Sequence, residues 1–282
     1  MEKSIYIVIP VFNRKEYTKA CLLSLRKQTD TYFKTIIIDD GSTDGTANML
    51  AEEFPEVDVI TGSGNLWWTA SVNLGIRKAL TEGADYVLTL NNDVLAHEQF
   101  IENLRKHAAT TPNALLGAFA FDAKNQQPCY GGALINWQKC SMTSLLDVLP
   151  QEQRQGLHRV THFPGRGLLI PAAVFAKVGL FDEIEFPHYY ADYDFTQRAD
   201  RKGFPVYCNY DAILYTYPEE SGDRNNRRKK TINNYYQHLF GIKGGGNLVN
   251  FTKYTFRHCP PHYVPSYLLQ GYAKRIFGYL LK

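Results

Sequence analysis

This chain has no long apolar run. Nothing in it approaches the 18 uncharged apolar residues of a membrane-spanning helix, and the burst Ile5 to Ile9 is stopped by Pro10, too short for a signal-peptide core. Charge of one sign is scarce: 31 Lys and Arg against 28 Asp and Glu leave +3, too small an excess to mark a nucleic-acid binder. The five cysteines (Cys21, Cys129, Cys140, Cys208, Cys259) are odd in number, scattered and without a CxxC pair, so neither a zinc site nor a disulfide framework is indicated. Phosphate-cradling glycine loops are missing too. Pro10-Val-Phe-Asn-Arg14 has no glycine where G-x-G-x-x-G would fall, and no G-x-x-x-x-G-K-[ST] occurs. What is there is an ordinary globular balance, 44% apolar and 21% charged, with aromatics high at 13% and 19 Tyr. A soluble cytoplasmic protein is expected.

The first 120 or so residues alternate short apolar runs with helical periodicity. Strands are predicted at Ile5 to Ile9, Thr35 to Ile38, Val57 to Ile60 and Tyr86 to Leu90. Helices are predicted from about Lys15, over Gly45 to Phe54, and over Thr69 to Leu80. This βαβαβαβ order implies a parallel sheet covered by helices on both faces. Beyond Phe121 the rhythm breaks into turn chemistry at Pro128 to Gly132, a short helix after Pro171, another at Asp192 to Lys202, and one or two strands over Val206 to Tyr217. No linker separates this half from the first, so it is read as completing one domain. A basic run, Arg224 to Lys230, and a Gly244-Gly-Gly246 break precede an aromatic and basic tail.

In an open parallel sheet ligands bind at the carboxyl ends of the strands. Three polar clusters fall at such ends: Pro10 to Arg14, Asp39 to Asp44, and Asn91-Asn-Asp93. Each alone is an ordinary turn or helix cap, as Ser42 and Asp44 could be, but together they outline a crevice. Acidic loops repel phosphate unless a divalent cation intervenes, and Mg²⁺ or Mn²⁺ takes one or two protein carboxylates with substrate phosphates and waters completing its shell. Asp93 offers such a ligand for a nucleotide diphosphate.

These residues carry a resemblance. Ile7-Val-Ile-Pro-Val-Phe-Asn-Arg14, Ile38-Asp-Asp-Gly-Ser-Thr-Asp-Gly-Thr46, Leu90-Asn-Asn-Asp-Val94, Asn65, Asn73-Leu-Gly75, Gly179-Leu-Phe-Asp-Glu183 and Tyr190-Ala-Asp-Tyr-Asp-Phe-Thr-Gln-Arg198 with Gly203 occur in this order. The set resembles a family 2 inverting glycosyltransferase of the GT-A fold, in its rhamnosyltransferase-like branch, over about residues 4 to 217. The resemblance implies a GT-A domain over 1–220, with a nucleotide-sugar-binding half (1–121) and an irregular acceptor-binding half (122–220). A basic loop and C-terminal helical extension (221–282) would follow.

The resemblance also implies roles. Pro10, Val11, Arg14, Asp39 and Asp40 would meet the base or ribose, with Asn65 and Asn73 on the donor side. Asn92 would lie near the ribose or diphosphate, and Asp93 would hold Mn²⁺ or Mg²⁺. Asp192 would be the general base, with Asp194 an alternate because Ala191-Asp-Tyr-Asp194 reads in either register. The donor would be a UDP- or dTDP-sugar and the acceptor a hydroxyl of a glycan or glycolipid, in bacterial surface polysaccharide assembly. The sequence departs from the family at Ala191, where Glu is usual, and in lacking a histidine near Tyr215-Thr-Tyr217. Those departures motivate an alternative, a non-catalytic sugar-nucleotide- or glycan-binding protein. A sugar nucleotidyltransferase ranks third, since its glycine-rich first loop is absent.

Further candidates follow from residue type. Trp67 and Trp68 offer a stacking face for a sugar ring or pack the start of their helix. Trp137 could line an acceptor cleft or the core, and His188 could touch substrate. Arg166, between two glycines, has backbone room to approach one. The basic run could close over a phosphate, a solvated charge run being the plainer reading. The C-terminal segment either docks on the domain or a second subunit, or lies on the inner membrane face near a lipid-linked acceptor; docking is favoured.

Overall fold

The computed structural model describes residues 3–220 and 230–281. The first half forms as its periodicity requires: β1 (Ile5–Val11), α1 (Lys15–Leu25), β2 (Phe33–Asp39), α2 (Thr46–Glu53), β3 (Asp58–Thr61), α3 (Trp67–Thr81) and β4 (Tyr86–Thr89). Strands β3, β2, β1 and β4 lie side by side, all parallel. Alternate residues enter opposite cores, as strand geometry demands. Val8, Ile36 and Ile38 face α3, while Ile7, Ile9 and Ile37 join Cys21, Leu22 and Leu25 of α1 on the other side. Covered on both faces, these strands are apolar nearly throughout.

The second half extends the same sheet. After β5 (Val94–Ala96) and α4 (Phe100–Thr110) come β6 (Leu115–Asp122), β7 (Pro128–Tyr130), a separate hairpin of β8 (Ala133–Asn136) and β9 (Ser141–Ser144), α5 (Leu145–Val148) and β10 (Leu157–Arg159). Then follow β11 (Leu168–Pro171), α6 (Ala172–Val178), α7 (Ala191–Arg201) and β12 (Val206–Thr216). The main path runs β10-β12-β6-β11-β4-β1-β2-β3. Antiparallel β11 is wedged between β4 and β6, and β6 and β12 pair parallel. That wedge explains why the sequence rhythm breaks while the sheet does not. Val206 to Thr216 is one strand with an irregularity between Asn209 and Ile213.

The C-terminal segment forms α8 (Ile232–Phe240), α9 (Leu248–His258) and α10 (Val264–Leu281). Helix α10 packs against its neighbours through Phe251, Tyr267 and Cys259, with Cys140 from the far side of the chain. Docking on the domain is the observed arrangement. The basic run Arg224 to Lys230 lies outside the described residues except for Lys230. Among the described residues no helix is long and apolar enough to cross a membrane. All five cysteines are free.

Candidate active site

A cavity of about 700 Å³ opens at the carboxyl ends of β1 and β4. Its lining includes Pro10, Arg14, Asn92 and Asp93 from the loops after β1 and β4, Trp68 from α3, and Arg166, His188 and Asp192 from the second half. The C-terminal helices close it with Tyr254, Tyr267 and Arg275.

The loops after β1 and β2 hold each other in place. Asn13 and Arg14 adopt left-handed backbone (φ 58° and 63°), a conformation that non-glycine residues hold only where contacts enforce it. Here the Asn13 N–H donates to Ser42 Oγ (2.7 Å), Asn13 Oδ1 accepts from the Thr43 N–H (2.9 Å), and Asp44 accepts from the N–H groups of Lys15 (2.8 Å) and Thr46 (3.1 Å). Asp44 thus serves the first turns of both α1 and α2, relieving donors that the helices leave unpaired. The reward of this zipper is a fixed Arg14, whose guanidinium meets Asp93 at 2.8 Å.

From Asn91, two residues before Asp93, a chain of contacts along the cavity lining leads to Asp192. Asn91 Oδ1 accepts from Trp68 Nε1–H (3.0 Å). The Trp68 ring lies on Gly165, where an added Cβ would stand 2.3 Å from ring carbons. The Gly165 N–H donates to Asp192 Oδ2 (3.0 Å), and the Tyr193 N–H donates to Oδ1 (2.9 Å). Burial pushes the Asp192 carboxyl up to about 6, against the pull of those N–H groups and of Arg166. A carboxylate with that affinity for a proton suits general-base work near neutrality.

Asp194 is different. Two residues on along α7, it points away from Asp192, into a cage of Arg198 Nε (2.8 Å), Arg257 Nη1 (3.0 Å) and His258 Nε2 (2.8 Å). It is 0% exposed and absent from the cavity wall. Its partners outweigh burial and hold its carboxyl down to about 2. The alternate register is therefore corrected: Asp194 is a buried counter-ion, and Asp192 alone of the pair faces the cavity. Ala191 is fully buried in the core cluster, so the departure from the family's Glu does not alter the cavity wall.

Other expectations need correction. Asn73, 1% exposed, spends its amide on the Phe181 carbonyl (2.9 Å), Glu183 Oε2 (2.6 Å) and the Phe181 N–H (3.1 Å), pinning the segment before α7 to α3. It has nothing left for a donor sugar. Gly75 beside it lets α3 lie on β1, since a Cβ there would meet Val8 at 2.4 Å. Asp40 has both carboxylate oxygens on N–H groups of the β3–α3 loop, Gly64 (2.7 Å) and Leu66 (2.8 Å), and is 5% exposed. Asp39 accepts from the Ser42 N–H (3.0 Å) and does not line the cavity either, nor does buried Val11. Of Asp39, Asp40, Asp93 and Asp192, expected to line one shared cavity, Asp93 and Asp192 do so.

Trp137 stacks obliquely on Tyr254 and Tyr267 behind the wall. Asn65 is exposed outside it. Trp67, 36% exposed, also lies outside, its ring edge-on to His188 and beneath Lys243. His188 does line the cavity; burial, then Lys243, depress its imidazole to about 4, so it is neutral. The sequence reading missed the aromatic wall: Tyr130, Tyr190, Tyr193 and Tyr254 line the cavity with Arg275. The signal was the tyrosine excess, which no spacing located.

The donor set can be tested against a divalent cation. Asp93 faces the cavity with its side chain 22% exposed, Asn92 gives its amide to Thr18 Oγ1 (2.9 Å), and no cluster of three His, Cys, Asp or Glu exists among the described residues. That suits a cation carried on one protein carboxylate and substrate phosphates, not a closed protein cage.

The comparisons agree with this geometry. The model of glycosyl transferase family 2 matches residues 6–158. The chain belongs to glycosyl transferase family 2. It is 27% identical over 241 residues to the N-acetylglucosaminyl-diphospho-decaprenol L-rhamnosyltransferase of Mycobacterium tuberculosis, covering 77% of each chain. An uncharacterized glycosyltransferase of Rickettsia typhi is 30% identical over 219 residues, 74% of this chain and 62% of that one. Among solved structures, S. aureus TarS 1-349 superposes with a TM-score of 0.59 at 13% identity, covering 99% of this chain and 91% of that one. GalNAc-T7 with UDP, GalNAc and Mn²⁺ superposes at 0.61 with 13% identity, covering 76% and 43%. The fold is thus the GT-A fold expected from the sequence.

Proposed function

We propose that this glycosyltransferase moves a sugar from a UDP- or dTDP-sugar to a hydroxyl of a glycan or lipid-linked acceptor, with inversion, in the assembly of a bacterial surface polysaccharide. The observation that carries the reading is that Asp93 and Asp192 line one cavity, with Asn91, Trp68 and Gly165 linking the Asn91-Asn-Asp93 loop to Asp192. Arg14 and Asp93 form the donor wall, where a bound divalent cation would offset charge on the leaving diphosphate. Asp192 accepts the acceptor hydroxyl's proton as that oxygen bonds to the anomeric carbon. The anomeric carbon–phosphate oxygen bond breaks, and the nucleotide diphosphate leaves with the electron pair. One displacement inverts the centre. The uridine alternative is supported by the UDP in the superposed GalNAc-T7 structure.

A donor panel assayed for nucleotide diphosphate release, with and without Mn²⁺ or Mg²⁺, tests this. Turnover is expected only with cation, and Asp93→Ala should lower cation-dependent turnover by about 10²-fold or more, the scale of losing one electrostatic stabiliser. Cation-independent turnover, or an unimpaired Asp93→Ala enzyme, would remove Asp93 from this role. Nucleotide binding with no product under any donor and acceptor pairing would instead favour the non-catalytic binder.

A further inference from the structure

The cavity lining holds polar atoms that the protein leaves unused. Tyr130 Oη, Arg166 Nε and Arg275 Nε are each buried without a hydrogen-bond partner, and all three side chains line the cavity. Arg166 joins no hydrogen bond or ion pair among the described residues; its guanidinium lies 5.7 Å from the Tyr130 ring centroid. It follows Gly165, whose N–H holds Asp192. Arg275 arrives from α10, donating to Tyr190 Oη (2.7 Å) and the Gly271 carbonyl (3.1 Å), with its guanidinium 3.6 Å from the Phe251 ring centroid. Among the described residues the carboxylates on the cavity surface are Asp93, already paired with Arg14, and Asp192.

Among the described residues Arg166, Arg275 and Lys243 therefore share the cavity with Asp192 as the one carboxylate not already ion-paired. A partly buried cation without its counter-ion is costly, so the missing partner is expected to arrive with a ligand. In the proposed reaction the donor diphosphate is held at Arg14 and Asp93. We propose that the acceptor brings its own oxyanion, a carboxylate or a phosphate close to the reacting hydroxyl, and that Arg166 and Arg275 bind it. This rests on the reading of the cavity as a transferase site. It also resolves an electrostatic conflict. An anion placed beside Asp192 would tighten that carboxyl's hold on a proton and spoil it as a base, and paired guanidiniums offset the added charge. Arginine suits the task, because its planar fork matches both carboxylate and phosphate.

The test uses the full chain with saturating UDP or dTDP, so that the donor wall is occupied. Three glycosides are titrated by ligand-observed NMR: methyl β-glucopyranoside, methyl β-glucuronide, and methyl β-glucopyranoside 6-phosphate. At least one charged glycoside should bind about tenfold more tightly than the neutral one, the scale of one charge-assisted hydrogen bond. Preference for the glucuronide identifies a carboxylate acceptor; preference for the 6-phosphate identifies a phosphorylated one. Arg166→Gln and Arg275→Gln should each erase most of that preference, Arg275→Lys should keep part of it, and nucleotide affinity reports that the variants are folded. Equal binding of all three, binding of none, or a preference that survives both glutamine variants would overturn the proposal. Failure of the wild-type chain to bind any nucleotide would instead overturn the transferase reading beneath it.

Discussion

Asp192 and Asp194 are two residues apart and share a helix, yet burial and partners push their proton affinities in opposite directions. For Asp192 the consequence is kinetic. Its carboxyl, raised to about 6, must be ionised to accept a proton, so kcat/KM should rise with pH and level off above about 6 to 7. A profile flat down to pH 4.5, measured with a saturating cation, would contradict this. For Asp194 the consequence is structural. A carboxyl lowered in the folded state contributes stability that is present above the ordinary carboxylate range and lost as pH falls toward 2. Asp194→Asn should cost about 3–5 kcal/mol at neutral pH, because it strands Arg198, Arg257 and His258 around an uncharged amide. Urea unfolding checks this, and a loss under 1 kcal/mol would show the cage to be dispensable. The sequence motif contains both aspartates without distinguishing them. Only the helical phase, together with Arg257 and His258 more than 60 positions away, separates the cavity-facing carboxylate from the counter-ion.

At the scale of elements, the alternating first half was legible because strands buried on both faces and amphipathic helices write different periods into the sequence. The loops were legible as polar clusters, but their roles were not. Asp40 and Asn73 look like ligand groups in sequence and prove to be braces, because a buried polar side chain must satisfy its own bonds. The wedge of β11 was invisible, since an antiparallel insertion has no local signature distinct from any short apolar run. It nevertheless sets the site, for the segment ahead of it carries Gly165 and Arg166. Gly165→Ala would drive a methyl group into the Trp68 ring, displacing Trp68 from Asn91 and tilting the N–H that holds Asp192. Overpacking of this kind costs about 1–3 kcal/mol. In addition kcat should fall more than nucleotide affinity; an unchanged kcat, read by the same nucleotide-release assay, would show that the Trp68 bridge does not align Asp192 with the Asn91-Asn-Asp93 loop.

Across the whole molecule, the C-terminal helices are part of the site. Tyr254, Tyr267 and Arg275 close the cavity, and Arg257 and His258 of α9 lock the buried end of the first turn of α7. Sequence reading treated residues 221–282 as an extension because the resemblance ends near residue 217, and read Gly244 to Gly246 as a break; in the structure these glycines are a tight turn, where an added Cβ on Gly244 would meet the His238 carbonyl at 2.3 Å. The sheet therefore brings Asp93 to the cavity, the wedge and α7 bring Arg166 and Asp192, and the tail brings Tyr254, Tyr267 and Arg275. The division of labour between Asp93 and Asp192 across that space is tested most directly by one comparison. Wild type and Asp192→Asn are measured side by side for nucleotide affinity and for single-turnover sugar transfer with the same donor. The account predicts matched nucleotide affinity with transfer slowed about 10²- to 10⁴-fold, the usual contribution of a positioned base. Transfer at the wild-type rate in Asp192→Asn would contradict it.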